Sequence, residues 1–174
     1  PFDRTAGTAS FGHFPQARLM LVGHGEGLSA LTLLARSMAL DVAVLTPDER
    51  ALDRLQGLGF PVTPLIRTTD TQLLRSDPWT AIVFLFHDHD WETALLQRAF
   101  ALPHFYIGAM GGRRANAARR EALLAAGVPA SAVDTLHAPI GLFHSSRDPD
   151  TLALSALAQI VQIYQDTDFG AALG

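Results

Sequence analysis

From Ala17 onward, short apolar runs alternate with longer amphipathic ones, the pattern of repeated strand-helix units that feed a mostly parallel sheet. Strands are predicted near Arg18 to Val22, Val42 to Leu45, Val62 to Ile66, Ala81 to Phe86 and His104 to Ile107, with a weaker one around Thr135 to His137. Helices fall between them: Leu28 to Met38, Glu49 to Leu58, a short one near Thr71 to Arg75, Trp91 to Phe100, Arg113 to Ala126, and Pro149 to Gln165. In the last, Leu152, Ser155, Ala156, Gln159, Ile160 and Ile163 recur at helical spacing, and Asp148 stands as an N-cap before Pro149 at the first helical position. Ala81-Ile82-Val83-Phe84-Leu85-Phe86 is apolar throughout, as a strand covered by helices on both faces must be, and belongs at the sheet centre. Pro1 to Pro15 is rich in Gly, Ser, Thr, Phe and Pro and shows neither period. It reads as a disordered leader or linker ahead of a single domain over residues 16–174.

Composition narrows the classes of function. A length of 174 residues with 48% hydrophobic positions suffices for one domain with a sizeable core. Thirteen Lys and Arg against seventeen Asp and Glu leave a net charge of −4, so no basic field advertises a nucleic-acid partner. No apolar run approaches the roughly 18 to 20 residues that span a bilayer, so no membrane role is expected and the location is read as cytoplasmic. The absence of cysteine excludes disulfides, thiolate metal sites and a Cys nucleophile or persulfide carrier within these residues.

The turn Val22-Gly23-His24-Gly25-Glu26-Gly27 closes the first strand and opens the first helix, which makes the expected fold Rossmann-like α/β. That fold is a doubly wound, mostly parallel sheet of about six strands with helices on both faces, and ligands sit outside the carboxyl ends of its strands. Four segments would then line one rim: Gly23 to Gly27, His87-Asp88-His89-Asp90, Gly108 to Arg114, and His137 to Gly141.

Gly23 and Gly25 match the first two positions of a G-x-G-x-x-G phosphate turn, whose amides and helix N-terminus attract anions. Leu28 occupies the third, Glu26 sets a carboxylate where a pyrophosphate would need room, and Thr46 stands where a ribose-binding acid is expected, with Asp48 beyond Pro47. If Phe86 to His89 stay extended, His87 and His89 point to one side and Asp88 to the other. A metal there would need another ligand from His24, Glu26, His137 or His144; otherwise Asp88 or Asp90 caps the next helix and the histidines are polar loop residues. Gly111-Gly112-Arg113-Arg114 joins backbone amides at a helix start to two guanidinium groups, a recipe for holding phosphate or carboxylate. The alternative is a solvated basic stretch in which Arg119 and Arg120 continue an exposed helix face.

Tyr106-Ile107-Gly108-Ala109-Met110-Gly111-Gly112-Arg113-Arg114 and His137-Ala138-Pro139-Ile140-Gly141-Leu142, at this separation, resemble the C-terminal Rossmann domain of the XdhC/CoxI family. The likeness includes His87-Asp88, the Arg119-Arg120 to Gly127 stretch and the final helix from Pro149 to Ser155, and covers roughly residues 17–164. The resemblance implies an accessory protein that binds molybdenum cofactor (molybdopterin), protects it and delivers it to xanthine dehydrogenase or a related molybdenum hydroxylase. It also implies a homodimer, and a cofactor site drawn from Gly23, His24, Gly25, Glu26, His87, Asp88, Gly108, Gly111, Gly112, Arg113, His137 and Gly141. In that site the amides and Arg113 would take the phosphate, and His87, Asp88 and His137 the pterin ring edges.

Where the family usually reads Gly-Ala-Gly-His this chain has Gly23-His24-Gly25-Glu26, and after Leu142 it has Phe143-His144-Ser145-Ser146 in place of Asp-Ile-Gly-Ala. Two other readings therefore stand beside the first. One is an NAD(P)-dependent oxidoreductase with His87 or His137 as proton donor; the other is a Rossmann domain without ligand that serves as a dimerisation or docking module. No nucleophile or assembled triad is visible in the chain.

Overall fold

In the first long strand, Leu19 and Leu21 face one side of the sheet and Met20 and Val22 the other, all buried, so helices must cover both sides. The computed structural model describes residues 2–3, 8–9, 15–87, 89–143, 146 and 148–169. Five parallel strands, β1 (Arg18–Gly23), β2 (Asp41–Thr46), β3 (Val62–Pro64), β4 (Thr80–Leu85) and β5 (Tyr106–Ala109), form one sheet in the order β3-β2-β1-β4-β5. The six α-helices of the described residues are α1 (Glu26–Ser37), α2 (Glu49–Gly57), α3 (Glu92–Phe100), α4 (Arg113–Ala125), α5 (Ala130–Val133) and α6 (Pro149–Asp166).

Two apolar layers sandwich the sheet. On one face Leu28, Leu31 and Ala35 of α1 meet Ala153, Ala156, Leu157 and Ile160 of α6 over Leu19, Leu21, Val83 and Leu85. On the other, Leu95, Leu96 and Ala99 of α3 and Leu123 of α4 cover Val22, Ile82, Phe84 and Ile107. All six residues of β4 are buried, and it lies between β1 and β5 as its unbroken apolar run requires.

The weak sixth strand is not a strand. His137 makes an isolated parallel bridge to Gly108, donating to the Ile107 carbonyl at 3.0 Å and accepting from Ala109 N–H at 2.9 Å. Two residues on, Pro139 has no N–H with which to extend the ladder. The short helix near Thr71 contracts to a 3-10 turn, Thr71–Leu73, and α5 was not anticipated because four residues are too few to show a period. Within the segment read as a structureless leader, Phe2–Asp3 pairs antiparallel with Thr8–Ala9. Such a pairing of two residues each is too short to leave an alternating signature in sequence.

The cap of α6 forms as its sequence announces. Asp148 accepts from Thr151 N–H at 2.8 Å and from the Thr151 hydroxyl at 2.7 Å, with Pro149 in the first turn. These bonds hold the Asp148 carboxyl below the usual carboxylate range.

Candidate functional site

Strand order reverses between β1 and β4, and the crevice above a reversal of this kind is where α/β sheets place ligands. A cleft of about 980 Å³ opens there. Three helix N-termini border it, those of α1 at Glu26-Gly27, α4 at Gly112-Arg113 and α6 at Asp148-Pro149.

The α1 wall is a tight turn. A Cβ on Gly23 would lie 2.4 Å from the Leu85 carbonyl oxygen, which accepts from His24 N–H at 3.1 Å. Gly25, at φ 83°, adopts a backbone that L side chains resist. Glu26 begins the helix with its carboxylate 77% exposed and 3.6 Å from Arg54 of α2. Leu28, at the third glycine position, is fully buried under α6. Thr46, at the tip of β2, is buried, and its hydroxyl accepts from Asp48 N–H at 3.1 Å. The Asp48 carboxylate caps α2 through Arg50 N–H at 3.0 Å and Ala51 N–H at 3.3 Å. The tip of β2 thus offers a dinucleotide ribose a buried hydroxyl and a carboxylate engaged elsewhere.

His24 and His87 stand side by side in the cleft lining, ring centroids 5.7 Å apart, and the His24 ring also meets Phe86 edge-on at 5.5 Å. The chain does not stay extended beyond them. β4 ends at Leu85, and His89–Trp91 forms a 3-10 turn, so the backbone is not extended from Phe86 to His89 as the expectation for His87 and His89 required. α3 has Trp91 at its N-cap position without a side-chain cap. Asp88 and His144 lie outside the described residues. Among the described residues, His, Asp and Glu form no group of three or more that could hold a metal ion.

The α4 wall is built from Met110, Gly111, Gly112, Arg113 and Ala115. Arg113 is exposed, reaches the cleft and makes no ion pair among the described residues, whereas Arg114 does not line it. Arg119 is not part of an exposed basic face. Its side chain and that of Glu92 are each 2% exposed and paired at 2.9 Å, because α4 turns this position onto α3. Arg120 does face solvent and pairs with Asp134 at 2.6 Å.

The fourth rim segment divides. Pro139 and Ile140 line the cleft, but His137 does not: its ring stacks on Tyr106 at 4.5 Å, on the sheet edge. Half-buried there, His137 is held below the ordinary histidine pKa by desolvation, and burial likewise raises the Tyr106 phenol, whose hydroxyl donates to Gln159 at 2.8 Å. Gly141, at φ 103°, lies against α6, where a Cβ would fall 2.4 Å from Ser155 Oγ. Its N–H donates to Gln159 Oε1 at 2.8 Å. A Cβ on Gly108 would strike Tyr106 at 2.5 Å and Ile140 at 2.6 Å. Gly108 and Gly141 are therefore packing positions, and the α6 side of the cleft comes instead from Phe143, Ser146, Asp148 and Leu152, which sequence alone did not assign to a site. The cap signal at Asp148-Pro149 located the helix start but not what the helix start faces.

Residues 19–160 match the family model of the XdhC Rossmann domain. The chain belongs to this family. Within it, 94 residues are 37% identical to the molybdenum cofactor insertion chaperone PaoD of Escherichia coli (strain K12), covering 53% of this chain and 30% of PaoD. A second E. coli relative, the uncharacterized protein YqeB, is 25% identical over 162 residues, 91% of this chain and 29% of YqeB. The chain thus spans about a third of the length of these relatives. In fold it is similar to a xanthine dehydrogenase crystal structure from Bacillus halodurans, with a TM-score of 0.71 at 19% identity over 88% of this chain and 44% of that one.

Proposed function

We propose that this XdhC-family domain binds the molybdenum cofactor and passes it to a molybdenum hydroxylase of the xanthine dehydrogenase type. The family match over residues 19–160 carries the reading, and the PaoD relative supports it. The chemistry of the cleft fits such a cargo. Molybdopterin bears a phosphate at one end, suited to the N-terminal amides of α4 and the Arg113 guanidinium, and a heteroaromatic edge suited to His24 and His87. The role of the chain is then to hold, orient and shield the cargo, with no bond made or broken. The reading also places the protein in the cytoplasm as a homodimer; native mass checks the second of these.

An NAD(P) dinucleotide suits the cleft less well, since Glu26 stands at the phosphate turn and the β2 tip presents buried Thr46. Titration of the purified protein with molybdopterin, NAD(H) and NADP(H) separates the readings. Sub-micromolar binding of molybdopterin is the expected result; tight binding of a nicotinamide nucleotide with none of the pterin rejects the proposal, and binding of none of the three favours a docking module.

A further inference from the structure

The Arg119–Glu92 pair is charged, fully enclosed and outside the cleft, and its stability value is doubtful on general grounds. An apolar pair of similar volume commonly does as well, because desolvating two ions offsets most of their attraction. What an apolar pair lacks is a grip on the backbone. Arg119 meets Glu92 with two parallel hydrogen bonds of 3.0 Å and spends a further N–H on the Met110 carbonyl at 2.8 Å. It also donates to the Asn116 side-chain carbonyl, and Asn116 Nδ2 reaches the Gly111 carbonyl at 3.4 Å. Two successive carbonyls of the turn are thereby drawn inward.

In a trans peptide the carbonyl and the following N–H point in opposite directions. With the Met110 carbonyl held toward Arg119, the Gly111 N–H faces away from it; with the Gly111 carbonyl on Asn116, so does the Gly112 N–H. Met110, Gly111 and Gly112 all line the cleft, and among the described residues neither glycine N–H has an acceptor. Successive N–H groups on one side of a turn make an anion-binding concavity. Gly111, at φ 140° with a built Cβ 3.2 Å from Ala115 and 3.5 Å from Arg119, leaves little space between turn and guanidinium.

We infer that Arg119, buried on Glu92, is a positioning residue that aims the Gly111 and Gly112 amides at an anionic oxygen of the ligand, with Asn116 completing the grip. The anion is the phosphate of the cargo proposed above, and to that extent this inference rests on that reading.

The test replaces the pair by Glu92→Leu with Arg119→Met, and separately makes Asn116→Ala, a half-buried position that leaves the ion pair intact. Amide ¹H–¹⁵N shifts are followed during titration with inorganic phosphate, and molybdopterin affinity is measured in parallel. In the wild type, phosphate is expected to move the Gly111 and Gly112 amides. The folded double variant should lose that response and bind molybdopterin roughly tenfold more weakly, the lower end of the range for groups that orient a ligand-contacting neighbour. Asn116→Ala should give a smaller loss, and it carries the test if the double variant fails to fold. Arg120→Ala, on the exposed side of the same helix, should change nothing. Phosphate that leaves both wild-type amides unmoved overturns the inference, and so does a folded double variant that responds as the wild type does. Phosphate shifts without molybdopterin binding would instead leave the positioning role standing and reject the cargo.

Discussion

The two glycine turns that border the cleft look alike on paper and are constructed differently. At Gly23-His24-Gly25 the shape follows from backbone contacts with the adjacent strand: Gly23 lies against the Leu85 carbonyl and Gly25 takes a positive φ. At Met110-Gly111-Gly112 the shape is held from behind by side chains of α3 and α4, through Arg119, Glu92 and Asn116. Their charges differ too. The first turn opens a helix with Glu26 and the second with Arg113, so only the second joins a helix N-terminus to a cation. A glycine pattern therefore reports that a turn is tight, and the neighbouring side chains decide what it can receive.

Removing the brace from the second turn should give the largest effect. Arg119→Met alone leaves Glu92 buried beside an apolar side chain and should cost about 3 to 5 kcal/mol in denaturant unfolding. A loss below 1 kcal/mol would mean that water or rearrangement reaches the pair and that the turn is not held from behind. On the first turn, Gly23→Ala should destabilise by about 2 to 4 kcal/mol, since the new methyl meets a carbonyl in a strand with no room to shift. Gly112→Ala, where φ is −82° and a Cβ meets nothing within 4 Å, should stay within about 0.5 kcal/mol. Equal effects at the two glycines would erase the distinction drawn above.

Arg113→Ala should weaken molybdopterin binding by about 1.5 to 3 kcal/mol, the range for hydrogen bonds to a charged group, with little change in thermal midpoint. Glu26→Ala should not weaken it comparably; if it does, the first turn is the anion site after all. The smallest effect concerns His137, whose backbone bonds to β5 just before the second turn. Burial lowers its folded pKa below the unfolded value, so the unfolded chain binds the proton more readily. Its contribution is thus fully present above an unfolded pKa of about 6.5 and is lost as pH falls through that value toward the folded one. Unfolding midpoints measured across that window should drop on the acid side in the wild type and drop less in His137→Phe, which keeps a ring to stack on Tyr106.

Much of the fold was legible because β4 is apolar from Ala81 onward and α6 carries its period, its cap and its proline together. The cleft was legible where backbone shape and site coincide, at Gly111-Gly112-Arg113, His24, Glu26 and His87. It was not legible at His137, Gly108 and Gly141, whose motif suggested ligand contacts and whose positions serve packing against Tyr106, Ile140 and Ser155. Nor could spacing show that Arg119 is buried. An arginine on a helix is usually solvated, and only the position of Glu92, 27 residues away on another helix, makes its enclosure possible.

What the sequence determined by itself is local and periodic: which runs are strands, which are helices, where glycine admits a turn, and the family to which these residues belong. The tertiary structure decided which side chains share a space. It brought α6 to the cleft, turned His137 onto Tyr106 and closed Arg119 on Glu92. The physical reason is that periodicity records which face of an element is buried, whereas a site depends on which distant elements meet there, and that is settled by packing two helical layers on one twisted sheet.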